Sequence, residues 1–394
     1  MHGLALALCL WAVYAWDMSA PGLHDRNGLI KGTDFLHFYT LGTLALHGRG
    51  DLLYDMRAQS AVLAKIVPQA AGAVYVPLYG PQVSLLFAPL AEVPYPWALA
   101  IWLVLNGLIY AACCYAVWRT CPHLQHDGLA VAILALAFPG FFHLIAWGQT
   151  SGLALVFFTL AYLALRRGRP VLAGLAIGCL IFKPQLGLAA AVVFVLAGEW
   201  KVVAGAVASA TVQLVLAWAH FGWAVMRDYG RALWHVGEIM PLLEPRPYQM
   251  HSLRGFWSLL LPWPNVAFGF YLVAAAAAVG LAVYCWRGGR ALDFRFSALL
   301  LATVLVAPHL TVYDLVILAP AFLLLGDRAV ARGSTCDSLL RVLLYVCFPL
   351  FLLGPLARYT HLQLSVVAMA GLLVIASLEP REALDGLRRE EGNA

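Results

Sequence analysis

Apolar runs recur along this chain from residue 3 to residue 378, several of them close to the length, about 20 residues, that an α-helix needs to cross a bilayer. Between them there is too little charge to build a water-facing surface. Charged residues make up 11% of the chain and hydrophobic residues 62%, where a soluble domain carries roughly 25% charge. The expectation is an all-α polytopic membrane protein. Candidate spans are 3–20, 97–118, 128–146, 150–165, 170–182, 186–198, 202–220, 266–286, 297–308, 311–326, 339–355 and 362–378. The opening apolar run lacks the basic start and small-residue cleavage site of a signal peptide, so it reads as a retained first helix.

The basic residues set the orientation. Arg119, Arg166, Arg167, Arg169, Lys201, Arg287, Arg290, Arg295, Arg328, Arg332, Arg341 and the tail Arg381, Arg388 and Arg389 fall on one side of this topology. The short loops on the other side hold only Lys183 and Arg358. By the positive-inside rule the basic side is cytoplasmic. Both termini are then inside, and the long stretches 21–96 and 221–265 are outside. The net charge of +5, sorted this way, points to membrane orientation and away from nucleic acid. The expected organisation is one transmembrane domain, 1–380, and a cytoplasmic tail, 381–394.

The run 171–198 is either one helix kinked at Lys183-Pro184 or two short halves. One helix would move Arg287, Arg290, Arg328 and Arg332 outside, so the split is preferred, as a hairpin whose tip is buried in protein. In 21–96, Phe35, Phe38, Tyr39, Leu41 and Gly42 follow a near-helical spacing that suggests an interfacial helix. Val83 to Pro89 is apolar but short, as a re-entrant segment would be. The eight cysteines show no metal-ligand spacing and avoid the long outer stretches, so no disulfide is expected.

Five polar groups sit in apolar surroundings and map to the outer side: Asp34, His37, Gln149, Lys183 and His309. Ionisable groups at membrane depth are costly and by default mark a functional site. Tyr39, on the same stretch as Asp34, and Asp314, about a turn beyond His309, join the candidate set, in which Asp34 is the catalytic candidate and the other six are candidate donor-phosphate or substrate contacts. Asp34 could take a proton from an attacking hydroxyl, or cap a helix beginning near Thr33. Lys183 could hold a lipid phosphate or snorkel from the end of a short helix. His309 is a phosphate partner or a satisfied interfacial histidine, and Asp314 needs a partner, with Lys183 and His309 as candidates. Gln149 lies in Trp147-Gly148-Gln149-Thr150-Ser151-Gly152, which is also an ordinary interfacial turn. Arg246 and Arg254 could meet an anionic headgroup, but read more simply as solvated loop charges. Nucleophile-elbow, Walker, zinc-protease and dinucleotide signatures are missing from the sequence, so no cofactor is expected. Asp34, Asp51 and Asp55 do not form an oxygen-ligand loop of recognisable spacing, so no metal is expected.

Several blocks, in order, resemble glycosyltransferase family 87. These are polyprenyl-phosphate-sugar-dependent C-type membrane enzymes, which include mannosyltransferases that build phosphatidylinositol mannosides. The blocks are Gly32-Thr33-Asp34-Phe35 through Tyr39 with Gly48 to Tyr54-Asp55; Tyr75-Val76-Pro77-Leu78 through Phe87-Ala88-Pro89-Leu90 with Pro94, Trp102 and Asn106; Gly148-Gln149 with Gly174 and Lys183-Pro184; and Pro308-His309. The resemblance implies a C-type fold of about 10–13 transmembrane helices, with a long outer first loop carrying interfacial helices. It implies transfer of a hexose, mannose by analogy, from a polyprenyl-phosphate sugar to a lipid or glycan acceptor. The transfer would invert the anomeric carbon, on the extracytoplasmic face of the plasma membrane. Asp34 matches the family's general base, His309 a late histidine near the donor phosphate, and Lys183 a motif lysine. The chain departs from the mannosyl members in two ways. It has Ala307-Pro308-His309-Leu310-Thr311-Val312-Tyr313-Asp314 where they carry Ser-Pro-x-Ser-Trp with paired histidines, and Pro77 and Pro81 stand apart where they have paired prolines. Both departures leave the sugar open. The alternative class is a lipid or lipid-linked-sugar flippase, which calls for an internal repeat not visible in the sequence. A non-catalytic membrane scaffold is the third.

Overall fold

A computed structural model describes residues 1–238, 246–331 and 335–378. Among them the regular elements are all helical, with only two isolated β-bridges. The expected tail 381–394 and the side chain of Arg332 lie outside the described residues.

The helices are α1 (His2–Met18), α2 (Thr33–Leu46), α3 (Met56–Ile66), α4 (Gln82–Phe87), α5 (Tyr95–Trp118), α6 (Gly128–Leu136), α7 (Pro139–Trp147), α8 (Ser151–Arg166), α9 (Pro170–Gly178), α10 (Pro184–Ala197) and α11 (Trp200–Trp234). They continue with α12 (Leu253–Leu260), α13 (Pro264–Arg287), α14 (Leu292–Val306), α15 (Ala319–Ala331), α16 (Thr335–Leu352), α17 (Ala357–Thr360) and α18 (Leu364–Leu378). Proline opens α7, α9, α10 and α13, where its missing N–H would have had no helical partner anyway.

Among the described residues three helices, α5, α11 and α13, are long and apolar enough to cross a bilayer. Two bent pairs raise the number to five: Leu124–Leu136 with Pro139–Trp147 at 46°, and Ser338–Leu352 with Gly354–Thr360 at 67°. Five further apolar helices are shorter than a bilayer: α1, α8, α10, α18 and the Pro170–Phe182 segment. Of the expected 10–13 transmembrane helices, three to five among the described residues are long enough to span by themselves, because much of the apolar sequence is cut into half-length pieces. The run 171–198 is one such case. It breaks at Lys183-Pro184 after a 3₁₀ turn, Cys179–Phe182. Another is 311–326, where a 3₁₀ turn, Val312–Leu318, precedes α15.

Helix ends show where the polar chemistry gathers. α8 runs from Ser151 to Arg166, 16 residues or about 24 Å. At its Arg166 end, the guanidinium lies 3.6 Å from Asp293, at the start of α14. The loop before α6 meets the C-terminal end of α15, where His123 N–H donates to Asp327 at 2.7 Å. Arg290 donates to the Ser377 carbonyl at the end of α18 at 2.6 Å. At the opposite helix ends, Ser151 at the start of α8 donates to Asp314, ahead of α15, and Ser365 at the start of α18 meets His251, whose N–H donates to the Leu310 carbonyl just past α14. The candidate residues Asp314 and Gln149 therefore lie at the helix ends away from the Arg166, Arg290 and Asp327 contacts.

Residues 21–96 do contain the expected helix over Phe35–Gly42, and it is enclosed in protein. Phe35 through Ala45 of α2 are all buried. The rest of the stretch folds back over it, with α4 and the turn Ala88–Glu92 packed along its length. Gly42 lets the Phe87 backbone lie directly on α2, since a Cβ there would collide with the Phe87 carbonyl. Phe35, fully buried, packs against the rings of Tyr39, Phe87, Tyr95 and Trp102. Burying such a side chain contributes about 1.5–3 kcal/mol, so this aromatic box anchors α2 to α5.

Candidate active site

Asp34 stands in the first turn of α2, but it does not cap the helix. The N-cap is Gly32, in the left-handed region at φ 66° and without a side-chain cap bond. A Cβ on Gly32 would strike Leu99. Three tyrosine or backbone contacts hold this entry: Tyr95 Oη donates to the Lys31 carbonyl at 2.6 Å and the Gly32 carbonyl at 3.0 Å, and Tyr75 Oη donates to the Thr33 carbonyl. The helix N-terminus and this clamp leave the Asp34 side chain free to reach sideways.

It reaches Gln149. Nε2 of Gln149 donates to Asp34 Oδ2 at 2.9 Å, and Oε1 of Gln149 accepts from the Thr150 N–H at 2.8 Å and the Thr150 hydroxyl at 3.3 Å. A backbone N–H can only donate, so Oε1 must face Thr150 and the NH₂ must face Asp34. The turn that presents Gln149 is itself fixed. Gly148 ends α7 in the left-handed region at φ 67°, and its absent Cβ would sit 2.8 Å from Phe35 Cβ. Trp102 Nε1 donates to the Gly148 carbonyl at 2.9 Å and Asn106 Nδ2 to the Gln149 carbonyl at 3.3 Å.

Asp34 lines a cavity of about 540 Å³, together with His37, Tyr75, Tyr79, Trp147, Gln149, His309 and Tyr313. Asp34 is deep in the protein and partly exposed only to this space. Burial pushes its pKa up to about 6, reinforced by Asp314 and opposed by the Gln149 hydrogen bond and by Lys183 and His309. His37, one helical turn on, stacks on Tyr75 with centroids 4.9 Å apart. Burial holds His37 down to about 3, so it is a neutral imidazole at ordinary pH.

Of the seven candidates, Asp34, His37, Gln149 and His309 line the cavity. The other three serve the framework. Tyr39 is buried, does not line the cavity and donates to the Val93 carbonyl at 2.9 Å, so its proton is used within the fold. Lys183 and Asp314 are each 2% exposed and pair with one another at 2.6 Å. Ser151 bridges them, donating to Asp314 at 2.6 Å and accepting from Lys183 at 2.8 Å. Asp314 also caps the turn that begins at Thr311. Lys183 was expected to meet a phosphate. Its Nζ instead lies 5.2 Å from the Tyr313 ring centroid, one side chain behind the cavity wall. Asp51 pairs with Arg49 and Asp55 caps α3, so both acidic neighbours in the first loop are engaged locally.

The cavity also holds residues that sequence reasoning passed over. His143, Tyr79 and Gln249 line it. His143 lies inside an apolar run, and the rule that intramembrane ionisable groups mark sites flags it in retrospect. Arg246, read as a solvated loop charge, and His251 line it as well. Their loop is stitched down: His251 N–H donates to the Leu310 carbonyl at 3.0 Å, His251 Nδ1 meets Ser365 Oγ at 2.7 Å, and Gln363 donates to the Tyr248 and Met250 carbonyls at 3.0 and 3.2 Å. Burial pushes His251 down to about 3, with His143 adding to the effect.

No curated protein and no solved structure matches the chain. A family model does, over residues 78–308. That stretch holds the Trp102–Asn106–Gln149 clamp and Lys183, and stops one residue short of His309. With well over half of its length matched, the chain belongs to glycosyltransferase family 87.

Proposed function

We propose that this membrane glycosyltransferase moves a hexosyl group, mannose by resemblance, from a polyprenyl-phosphate sugar to a hydroxyl of a lipid or glycan acceptor. We read the enzyme as a C-type fold in the plasma membrane with its cavity on the extracytoplasmic side. Support for the side comes from the separation of the cavity from the basic loops.

The observation that carries the chemistry is a carboxylate with one oxygen tied down and the other open. Asp34 Oδ2 accepts from Gln149, and Oδ1 has no hydrogen-bond partner among the described residues. As the acceptor oxygen forms its bond to the anomeric carbon, its proton passes to Asp34 Oδ1. The bond from that carbon to the phosphate oxygen breaks, and the electron pair leaves with the polyprenyl phosphate. Attack opposite the leaving group inverts the centre. A carboxyl poised near pH 6 suits a base that must accept a proton and later release it. His309, which lines the same cavity, would hydrogen-bond the leaving phosphate. The neutral imidazole of His37 is suited to sugar hydroxyls, since it can donate and accept.

The test is transfer of tritiated mannose from polyprenyl phosphomannose to a membrane lipid extract by purified protein in detergent. Label should appear in a lipid or glycan product, and Asp34→Asn should abolish it. Full activity in that variant removes Asp34 from the mechanism. Failure to consume any polyprenyl-phosphate sugar overturns the donor class.

A further inference from the structure

We infer that Gln149 is a positioning residue: its amide locks Asp34 in one orientation, holds the carboxyl in its ionised form and leaves Oδ1 as the oxygen presented to the cavity. Gln149 was read from sequence as a substrate contact or an interfacial turn. Its side chain has a different use here, because both ends of the amide are bound within the protein. Oε1 is held by Thr150 and Nε2 by Asp34. The amide therefore cannot flip without setting Oε1 against a carboxylate and NH₂ against an N–H. The backbone beneath it is held by three features already described: the left-handed Gly148, the Trp102 indole and the Asn106 amide. Gln149 itself is 5% exposed and Asn106 and Thr150 are fully buried, so the clamp is rigid and shielded from competing water.

The same clamp sets the electrostatics of the base. Asp34 is faced by His37 on its own helix, Tyr75 and Tyr79 from the first loop, and Tyr95 from α5. From across the cavity it is faced by His309, Tyr313 and Asp314, and by Lys183 at the α9–α10 break. Lys183 is already committed to Asp314, so its pull on Asp34 is largely offset. Among the direct partners of the Asp34 carboxylate, Gln149 is the donor that favours the charged form. Removing a donor to a charged group raises a carboxyl pKa.

The inference deepens the reading of Asp34 as a base, and its test is chosen to be independent of that reading. The infrared carbonyl band of the protonated Asp34 carboxyl, identified by its absence from Asp34→Asn, is titrated in detergent without substrate. In the native protein it should titrate near pH 6, the value to which burial raises the group. In Gln149→Leu the midpoint should move up by about one pH unit. In Gln149→Glu, which keeps an acceptor for the Thr150 N–H and so preserves the turn, it should move up further, because two carboxyls then share one proton. The acid limb of the transfer rate should shift with the band, and Gln149→Leu should regain most of its rate at high pH. A band that stays put in both variants overturns the inference, whatever Asp34→Asn does to transfer. A band that shifts while Asp34→Asn still transfers sugar leaves Gln149 in place and removes the base.

Discussion

Two carboxylates hang from the same four-residue turn and are treated in opposite ways. Gln149 of the Gly148–Ser151 turn donates to Asp34, and Ser151 of the same turn donates to Asp314. Asp314 also faces the ammonium of Lys183 in a setting with almost no exposure. Asp34 faces a neutral amide and opens on a cavity. The contacts with the Lys183 ammonium and the Ser151 hydroxyl make Asp314 a structural tie between the α7–α8 turn, the α9–α10 break and the turn before α15. The amide holds Asp34 just as firmly but leaves its proton exchangeable. In the proposed mechanism it is the partner, and not the carboxylate, that sets which of the two acts as a base.

That contrast can be broken from either side. The largest effect is expected at Asp34. Asp34→Asn keeps the size and most of the hydrogen bonding and should cut transfer by about 10²–10⁴-fold, the usual range for a general base, with unfolding temperature little changed. At the other carboxylate the loss should be of stability. Asp314→Asn leaves Lys183 buried without its counter-charge, a defect of about 3–5 kcal/mol, read as a lowered unfolding temperature in detergent. Replacing both partners, Lys183→Met with Asp314→Leu, should restore much of that stability, since a buried pair replaced by apolar groups of similar volume is often neutral. If the double variant is as unstable as Asp314→Asn, the tie depends on its hydrogen bonds to Ser151 and Thr311 and not on charge.

The pH response sharpens the comparison further. The folded pKa of Asp34 is raised to about 6 by burial, and the base must be deprotonated to work. Transfer should therefore fall as pH drops through about 6 and be flat above it, measured as initial rate at saturating donor. A limb near pH 4, the ordinary carboxylate range, would mean that the cavity is wetter than its walls suggest. The smallest effect is expected at Tyr39. Tyr39→Phe loses the bond to the Val93 carbonyl and should cost about 0.5–1.5 kcal/mol of stability, leaving the KM for donor unchanged. A raised KM would return Tyr39 to the substrate site.

Much of the site was legible because each of its members is an anomaly in its own neighbourhood. Asp34, His37, Gln149 and His309 stand out as polar groups in apolar runs, and the structure brings all four to one cavity. Lys183 and Asp314 stand out for the same reason, yet they meet each other. From sequence each had more than one possible partner, and nothing local chooses among them. Tyr39 was picked for its helical spacing beside Asp34, but spacing does not say which face of α2 is wrapped by α5. His143 was passed over because an apolar run read as a span hides its single imidazole.

The sequence alone determined that the chain is helical and apolar, and that the run 171–198 breaks at Lys183-Pro184. Hydropathy, charge position and the missing N–H of proline are properties of short stretches, and they survive any packing. Tertiary structure alone decided that α2 is buried, and that Lys183 belongs to Asp314, 131 positions away, and Gln149 to Asp34, 115 positions away. Such pairings depend on which helix breaks lie side by side. That is settled by burying the aromatic and small-residue faces of separate helices together, and no single stretch of sequence contains it.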